Sequence, residues 1–574
     1  MEAAQPTADL RTCAEEILFL LREHGVDYLF LNPGTDSAPL QEAAAALAAR
    51  QVPVPQIVGC TFEGVALAAA HGYWQMTRRA QAVFVHVDVG TQNLGAMVHN
   101  VKRDRAGVVV LAGKTPYGED PDAPGGRSHR IHWHQDVPDQ AGIVRPYAKW
   151  AFELVRSEDT ARVVGRALQV AEGGVPGLAY LTLSRDVLMQ PAGPAELRRT
   201  RGFARPGPAA IEPGTLARLA EQLAAARHPV IITSRLGRLP GAARSLARLA
   251  ELATVPVVCR PESMNLRTSH PMRVGSGTTA ANLIRQADLV LIIDCDVPWI
   301  PRYVTPSAEA TIVQIDSDPV KADMPLWTFP VDVAITADTG VAVAQLADAV
   351  AAAAGPEGSA AQARRTWLAS AAGTDPAQDR VPDRVSSAQV RDTVQALGAQ
   401  LAAGDIVVEE AVTNTELVTE YLARTEPGTL TSPGGPGLGW ALGGSVGVKL
   451  ARPSNRVVAV VGDGAFMFGV PTAALCLAAE ARAPFLTVIL NNGGYRASRM
   501  PVFDLFPAGT SVALGDAVGT RFASPPDFAA VAAACGAHGE RVEDLVDVGD
   551  AIQRGFKSVE AGRSAVVDVA VTDQ

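Results

Sequence analysis

Apolar residues recur along this chain in two rhythms. Leu10, Ala14, Ile17, Leu18 and Leu21 fall on one helix face, and His24-Gly25 ends that helix. Between such helical stretches lie short β-branched runs with no polar alternation. In the first third they are residues 28–31, 82–87, 107–112 and 178–183; in the middle, 230–233, 255–259, 289–293 and 311–315; in the last third, 406–409, 456–461, 485–490 and 565–571. Runs that are apolar throughout suit strands buried on both faces, so their alternation with helices predicts parallel sheets covered on each side. Two stretches break the rhythm. Residues 188–213, with Pro191, Pro194, Pro206, Pro208 and Pro213, and residues 353–385 read as linkers, the second containing a short helix. The expected fold class is α/β: three consecutive doubly wound parallel-sheet domains, over residues 1–187, 214–352 and 386–574. In such sheets ligands bind at the strand C-termini.

Composition narrows the function classes. A length of 574 residues agrees with several domains. Sixty acidic against 50 basic side chains give a net charge of −10, which argues against a broad nucleic-acid partner. The six cysteines (Cys13, Cys60, Cys259, Cys295, Cys476, Cys535) are dispersed without a CxxC pair, excluding a zinc ribbon or disulfide scaffold. No cationic stretch leads into an apolar run at the start, and no apolar stretch is long enough to span a membrane. A soluble, cytoplasmic protein without a membrane partner is expected.

Chemistry concentrates in the last third. Gly462-Asp463-Gly464 ends one apolar run and Asn491-Asn492 ends the next, so both tips lie at one sheet edge. Residues 468–482 between them fit a helix. Asp463, Asn492 and the Gly494 carbonyl make a hard oxygen half-shell suited to Mg²⁺. The N–H groups of Gly464 and Ala465, near a helix start, suit a diphosphate. Asp-Gly and Asn-Gly are also common turn dipeptides. Two such tips on adjacent strands favour the functional reading.

This arrangement resembles the diphosphate-binding signature of thiamine-diphosphate enzymes, and the resemblance covers nearly the whole chain. It is nearest to the benzoylformate decarboxylase, acetolactate synthase and 2-hydroxyacyl-CoA lyase group, whose order is pyrimidine-binding, central and diphosphate-binding domain. The resemblance implies thiamine diphosphate and Mg²⁺ as cofactors, the metal being held by Asp463, Asn492 and Gly494. It implies cofactor contacts at Thr413, Asn414, Pro436, Leu438, Gly462, Asp463, Gly464, Ala465, Asn492 and Tyr495. Leu438 matches the apolar wedge between the cofactor's rings, with the Pro436 carbonyl placed for its amino group. The family glutamate is Glu63, in Cys60-Thr61-Phe62-Glu63-Gly64-Val65-Ala66, where Phe62 departs from the usual basic residue or Gln. A carboxyl hydrogen-bonded to the aminopyrimidine favours an imino tautomer that can take the thiazolium C2 proton.

The resemblance also bears on the reaction. Val85-His86-Val87-Asp88 aligns with the benzoylformate decarboxylase segment carrying a catalytic histidine, so His86 is a candidate proton donor. Asn32-Pro33-Gly34-Thr35-Asp36 matches the turn offering a hydroxyl to the substrate carboxylate; Thr35 is the candidate and Asp36 reads as a turn residue. Gln135 resembles an acetolactate synthase glutamine that reaches the active site. His132 and His134, expected to point the same way on a strand, lack a third metal ligand and read as structural or substrate-facing. The second catalytic histidine of benzoylformate decarboxylase has no counterpart in residues 296–302. Tyr495, Arg496, Arg499 and Met500 are expected in the substrate wall.

Relatives hold FAD, an ADP-containing ligand or nothing in the central domain. No GxGxxG follows its first strand, and an empty domain is favoured over FAD. The implied activity is a non-oxidative 2-oxo acid decarboxylase or carboligase, acetolactate synthase-like, whose enamine is protonated or added to a carbonyl acceptor. The alternatives are a 2-hydroxyacyl-CoA lyase and a catalytically inactive cofactor-binding regulatory protein. The chain stops just after residues 565–571, without the lid of some acyl-CoA lyases, which weighs against a CoA substrate. Relatives seat the cofactor between two subunits, implying a homodimer as minimum unit, with a homotetramer common.

Overall fold

The computed structural model describes residues 9–120, 122–198, 203–353, 359–371 and 385–571. Parts of both expected linkers, residues 199–202, 354–358 and 372–384, lie outside these. The described residues form three parallel six-stranded sheets. The first contains β1 (Tyr28–Leu31), β2 (Gln56–Gly59), β3 (Gln81–Val85), β4 (Val108–Lys114), β5 (Trp150–Leu154) and β6 (Leu178–Ser184), in the order β2-β1-β3-β4-β6-β5. The second contains β7 (Pro229–Thr233), β8 (Val257–Cys259), β9 (Arg273–Val274), β10 (Leu289–Ile293), β11 (Thr311–Asp316) and β12 (Val333–Thr336), in the order β12-β11-β10-β7-β8-β9. The third contains β13 (Ile406–Glu410), β14 (Leu430–Thr431), β15 (Val457–Gly462), β16 (Leu486–Asn491), β17 (His538–Val542) and β18 (Ala565–Ala570), in the order β14-β13-β15-β16-β18-β17. Helices cover both faces of each sheet, which is why strands such as β3 and β10 are buried at every position.

The apolar runs correspond to the four inner strands of each sheet. The edge strands β2, β5, β9, β12, β14 and β17 went unread. A second difference concerns residues 468–482. Instead of one helix there are two, Asp463–Phe468 and Pro471–Glu480. The break falls at Val470, whose φ is 46°. Pro471 disfavours helical backbone at the preceding residue, so the chain turns there.

Among the contacts that join the domains in the described residues, two stand out. The helices Glu63–Thr77 and Trp440–Ala451 pack backbone against backbone: a methyl group on Gly447 would overlap the Ala69 carbonyl, and one on Gly72 would overlap the Gly444 carbonyl. Val65 meets Gly443 while Tyr73 meets Gly447, so the N-termini of both helices lie at one end of the pair. The other contact is a buried ionic seam. The turn Asp104-Arg105 enters the C-terminal edge of the second sheet between β7 and β10, where strand order reverses. There Arg105 bonds Asp316 at 2.6 Å and Asp296 at 3.1 Å, and Arg238 bonds Asp104 at 2.7 Å. Lys321 bridges Asp296 (2.7 Å) and Asp316 (2.6 Å), and Arg235 meets Asp296 at 2.8 Å.

Candidate functional site

The third sheet presents β15 and β16 side by side, with Gly462 opposite Leu490. Their C-terminal tips carry Asp463 and Asn492. Asp463 is 3% exposed, and its two oxygens accept backbone N–H groups from Gly464 at 2.7 Å and Gly494 at 2.9 Å. Burial pushes its carboxyl above the usual range, because no cation stands beside it to oppose desolvation. Asn492 Oδ1 is buried without a hydrogen-bond partner. A buried carboxylate without a counter-ion and a buried amide oxygen without a donor form a donor set that fits a hard divalent cation. The Gly494 carbonyl in the same loop accepts a long bond from Arg496 N, 3.2 Å.

Around this half-shell stand the further candidates. A side-chain carbon on Gly464 would lie 3.0 Å from the Tyr495 ring and 4.0 Å from Leu438, so Leu438 and Tyr495 flank Gly464, and only a glycine leaves this gap open. Pro436 is exposed beside them. Thr413 is half-buried and Asn414 buried, at the start of the helix Thr415–Tyr421. The preceding Val412 adopts φ 48°, an unfavourable backbone for a β-branched residue.

One residue beside the site escaped the sequence reading. Glu410, at the end of β13, accepts the N–H groups of Gly439 (2.8 Å), Trp440 (3.1 Å) and Ala441 (2.8 Å). It therefore caps the helix Trp440–Ala451, whose N-cap Gly439 follows Leu438. Burial raises its carboxyl to about 7. The adjacent Glu-Glu at a strand end was its only sequence signal.

A second cluster forms at the strand ends of the first sheet. Glu63 opens the helix Glu63–Thr77, is buried, and accepts from Asn93 Nδ2 at 3.1 Å. β3 ends at Val85, two residues before its expected end, so His86 follows the strand directly, and Val87 turns the chain with φ 38°. His86 Nδ1 lies 2.6 Å from Asp36 Oδ1, and Asp36 Oδ2 accepts the Val87 N–H at 3.1 Å. Asp36 is thus the buried partner of His86 rather than a mere turn residue. Gly34 and Gly113 leave the room it needs, since a methyl group on Gly34 would overlap His86 and one on Gly113 would overlap Asp36. Burial opposes the charged imidazole, but the bond to Asp36 outweighs it and holds His86 above its ordinary pKa. Gln135 is 6% exposed with an unpartnered Nε2, and also favours protonated His86.

His132 and His134 do not lie on a strand. Residues Arg130–Trp133 form one 3-10 turn, which buries His132 and leaves His134 exposed. Among the described residues no group of three or more His, Cys, Asp and Glu is placed to hold a metal. Arg499 is buried beyond the Asn492–Gly494 loop, whereas Arg496 and Met500 are half-buried. At the central domain's strand-end crevice stand Asp294, Asp296 and Asp316, whose counter-ions come from the chain itself.

Within one chain, no hydrogen bond or ion pair among the described residues joins the Glu63 cluster to the Asp463 half-shell. The nearest link is Asn100, whose side chain brackets Gly437 through both its N–H (2.8 Å) and its carbonyl (2.7 Å), one residue before Leu438. No helix among the described residues is long and apolar enough to cross a membrane.

Three models of thiamine pyrophosphate enzymes match this chain: the N-terminal TPP binding domain over residues 11–143, the central domain over 216–346, and the C-terminal TPP binding domain over 411–569. The chain is 28% identical over 494 residues to benzoylformate decarboxylase of Pseudomonas aeruginosa, covering 84% of this chain and 86% of that one. It is 24% identical over 572 residues to acetolactate synthase of Bacillus subtilis, covering 97% and 93%. The solved thiamine diphosphate-dependent 4-hydroxybenzoylformate decarboxylase of Rhodococcus jostii has the same fold, with a TM-score of 0.77 at 22% identity over 98% of this chain and 99% of that one.

Proposed function

The chain belongs to the thiamine pyrophosphate enzyme family, among its decarboxylases and acetolactate synthases, and from that premise we propose a non-oxidative 2-oxo acid decarboxylase that releases its product or passes it to a carbonyl acceptor. The observation that carries this reading is the half-shell formed by the buried Asp463 carboxylate, raised by burial, and the unpartnered Asn492 amide oxygen. Asp463, Asn492 and the Gly494 carbonyl would hold Mg²⁺. Gly462, Gly464, Ala465, Asn414, Thr413 and Tyr495 would hold the diphosphate end of the cofactor, Pro436 and Leu438 its rings, and Glu63 its pyrimidine. Bound there, thiamine diphosphate supplies the electron sink for breaking the bond to the carboxylate.

The chain's own residues supply orientation and protons. Glu63, steadied by Asn93, offers a buried carboxyl that can hold and return a proton at its oxygen. His86 has Nδ1 committed to Asp36, so Nε2 is the atom that delivers a proton to the reacting centre. Thr35 and Gln135 would bind the substrate's oxygens. Phe468, Leu505, Phe506 and Leu514 leave an exposed apolar surface next to the metal loop. A second copy covering it would bring its own Glu63 cluster to that loop, so a homodimer is the proposed minimum unit.

The test offers the purified chain thiamine diphosphate, magnesium and a panel of 2-oxo acids and 2-hydroxyacyl-CoAs, with products identified by mass spectrometry. Carbon dioxide with an aldehyde or an acyloin is expected, and the Glu63→Gln variant should lose about 100- to 10,000-fold in turnover while keeping the cofactor. Aldehyde release from an acyl-CoA would assign a 2-hydroxyacyl-CoA lyase instead. Cofactor uptake without turnover of any substrate would leave an inactive cofactor-binding protein.

A further inference from the structure

Thr35 and His132 meet at the mouth of the His86 cluster, with Thr35 Oγ1 3.5 Å from His132 Nε2. The two residues are held differently. Thr35 sits exposed on the turn after β1, whereas His132 is 1% exposed in the 3-10 turn Arg130–Trp133. The imidazole's other nitrogen is fully committed: Nδ1 accepts the backbone N–H of Ser128 at 3.1 Å and of His129 at 3.4 Å. Two N–H groups aimed at Nδ1 leave no room for a proton there. A neutral ring must then carry its proton on Nε2, the atom that faces Thr35.

We propose that His132 is a substrate-specificity residue, a fixed neutral Nε2–H donor that together with the Thr35 hydroxyl recognises the carboxylate of the 2-oxo acid. The inference rests on the 2-oxo acid reading above. Its surroundings agree with a neutral donor facing an anion. Burial lowers the His132 pKa, Arg185, His129 and Arg127 lower it further, and only Asp36 opposes them. Arg127 also pins the backbone by donating to the His132 carbonyl at 2.5 Å. A histidine serving packing alone would bury Nε2–H against a committed acceptor. Here its neighbour is an exposed hydroxyl at the limit of bonding distance, which a substrate oxygen could bridge. Gln135 adds a buried, unpartnered Nε2 close by, on the side of His86.

The experiment compares the wild type with His132→Leu and His132→Gln, each loaded with thiamine diphosphate and magnesium. Removing a donor to a charged group should raise KM for the preferred 2-oxo acid about 10- to 100-fold while kcat stays near the wild-type value. The glutamine, which keeps an N–H at that reach, should recover most of the loss. Oxamate and N-phenyloxamate, isosteres that cannot react, should bind the wild type and lose affinity in step with KM in the leucine variant, by calorimetry. Nitrogen-15 spectra of histidine-labelled wild type, which need no variant, should show His132 protonated at Nε2 alone. An unchanged KM and isostere affinity in both variants, or a proton on Nδ1, would overturn the role of His132 while leaving the decarboxylase standing. A wild type that neither turns over a 2-oxo acid nor binds an oxamate defeats the decarboxylase reading, and this one with it.

Discussion

The strand ends of the second and third sheets bury carboxylates to similar depth and treat them in opposite ways. At the seam where the Asp104-Arg105 turn enters the second sheet, Asp104 and Asp296 meet Arg238, Arg235, Arg105 and Lys321, and both are held below the usual carboxylate range despite burial. At the third sheet Asp463 meets backbone N–H groups only, and burial carries it upward. Desolvation acts in the same direction at both places, so the presence of a cation decides the sign. The seam brings its own counter-charges and closes on itself. The third-sheet edge lacks one and is therefore the place where an external cation gains most.

Four substitutions break or sharpen that contrast. Arg105→Met strips a cation from the seam and leaves Asp296 and Asp316 under-compensated. It should cost about 3–5 kcal/mol of stability in urea unfolding, with cofactor affinity of the folded protein unchanged. Loss of cofactor affinity instead would make the seam part of the site. Asp463→Asn should do the reverse, weakening magnesium-dependent cofactor binding on the order of 100-fold by calorimetry without lowering the melting temperature. Asp36→Asn should slow turnover by roughly 10-fold and move the pH limb assigned to His86 to lower pH, because the group that raises its pKa has been neutralised. A limb that stays in place would detach Asp36 from His86.

A separate, pH-dependent effect concerns Glu409 and Glu410, both raised to about 7 by burial. A carboxyl raised in the folded state contributes stability fully below its unfolded value, and that contribution is lost as pH rises through 7. The depressed Asp104 and Asp296 contribute above their unfolded value and lose it only as pH falls through their folded values. Melting temperature between about pH 4.5 and 8 should therefore decline on the alkaline side, and Glu410→Gln should flatten that decline.

The unread strands show what an amino-acid pattern carries. Inner strands are buried on both faces and stand out as unbroken apolar runs. β5 exposes or half-exposes Trp150 to Glu153, and β9 and β14 have two residues each, too few for any period. The juxtaposition of Asp463 and Asn492 was legible because strand and turn are contiguous at Gly462-Asp463-Gly464 and Asn491-Asn492. Asp36 was not, since only the fold brings it to His86, fifty residues away in sequence. His132 was visible as a histidine, but the Ser128 and His129 N–H groups that meet its Nδ1 do so only because the chain then enters a 3-10 turn that no periodicity announces.

The central claim is that the third-sheet edge holds a divalent cation and, through it, a diphosphate. Calorimetric titration of dialysed wild-type chain with thiamine diphosphate, with and without magnesium, tests it most directly. Saturable uptake of one cofactor per chain, dependent on magnesium and abolished by chelation, is the expected result. Absence of uptake of either component, or uptake indifferent to the metal, would contradict the account.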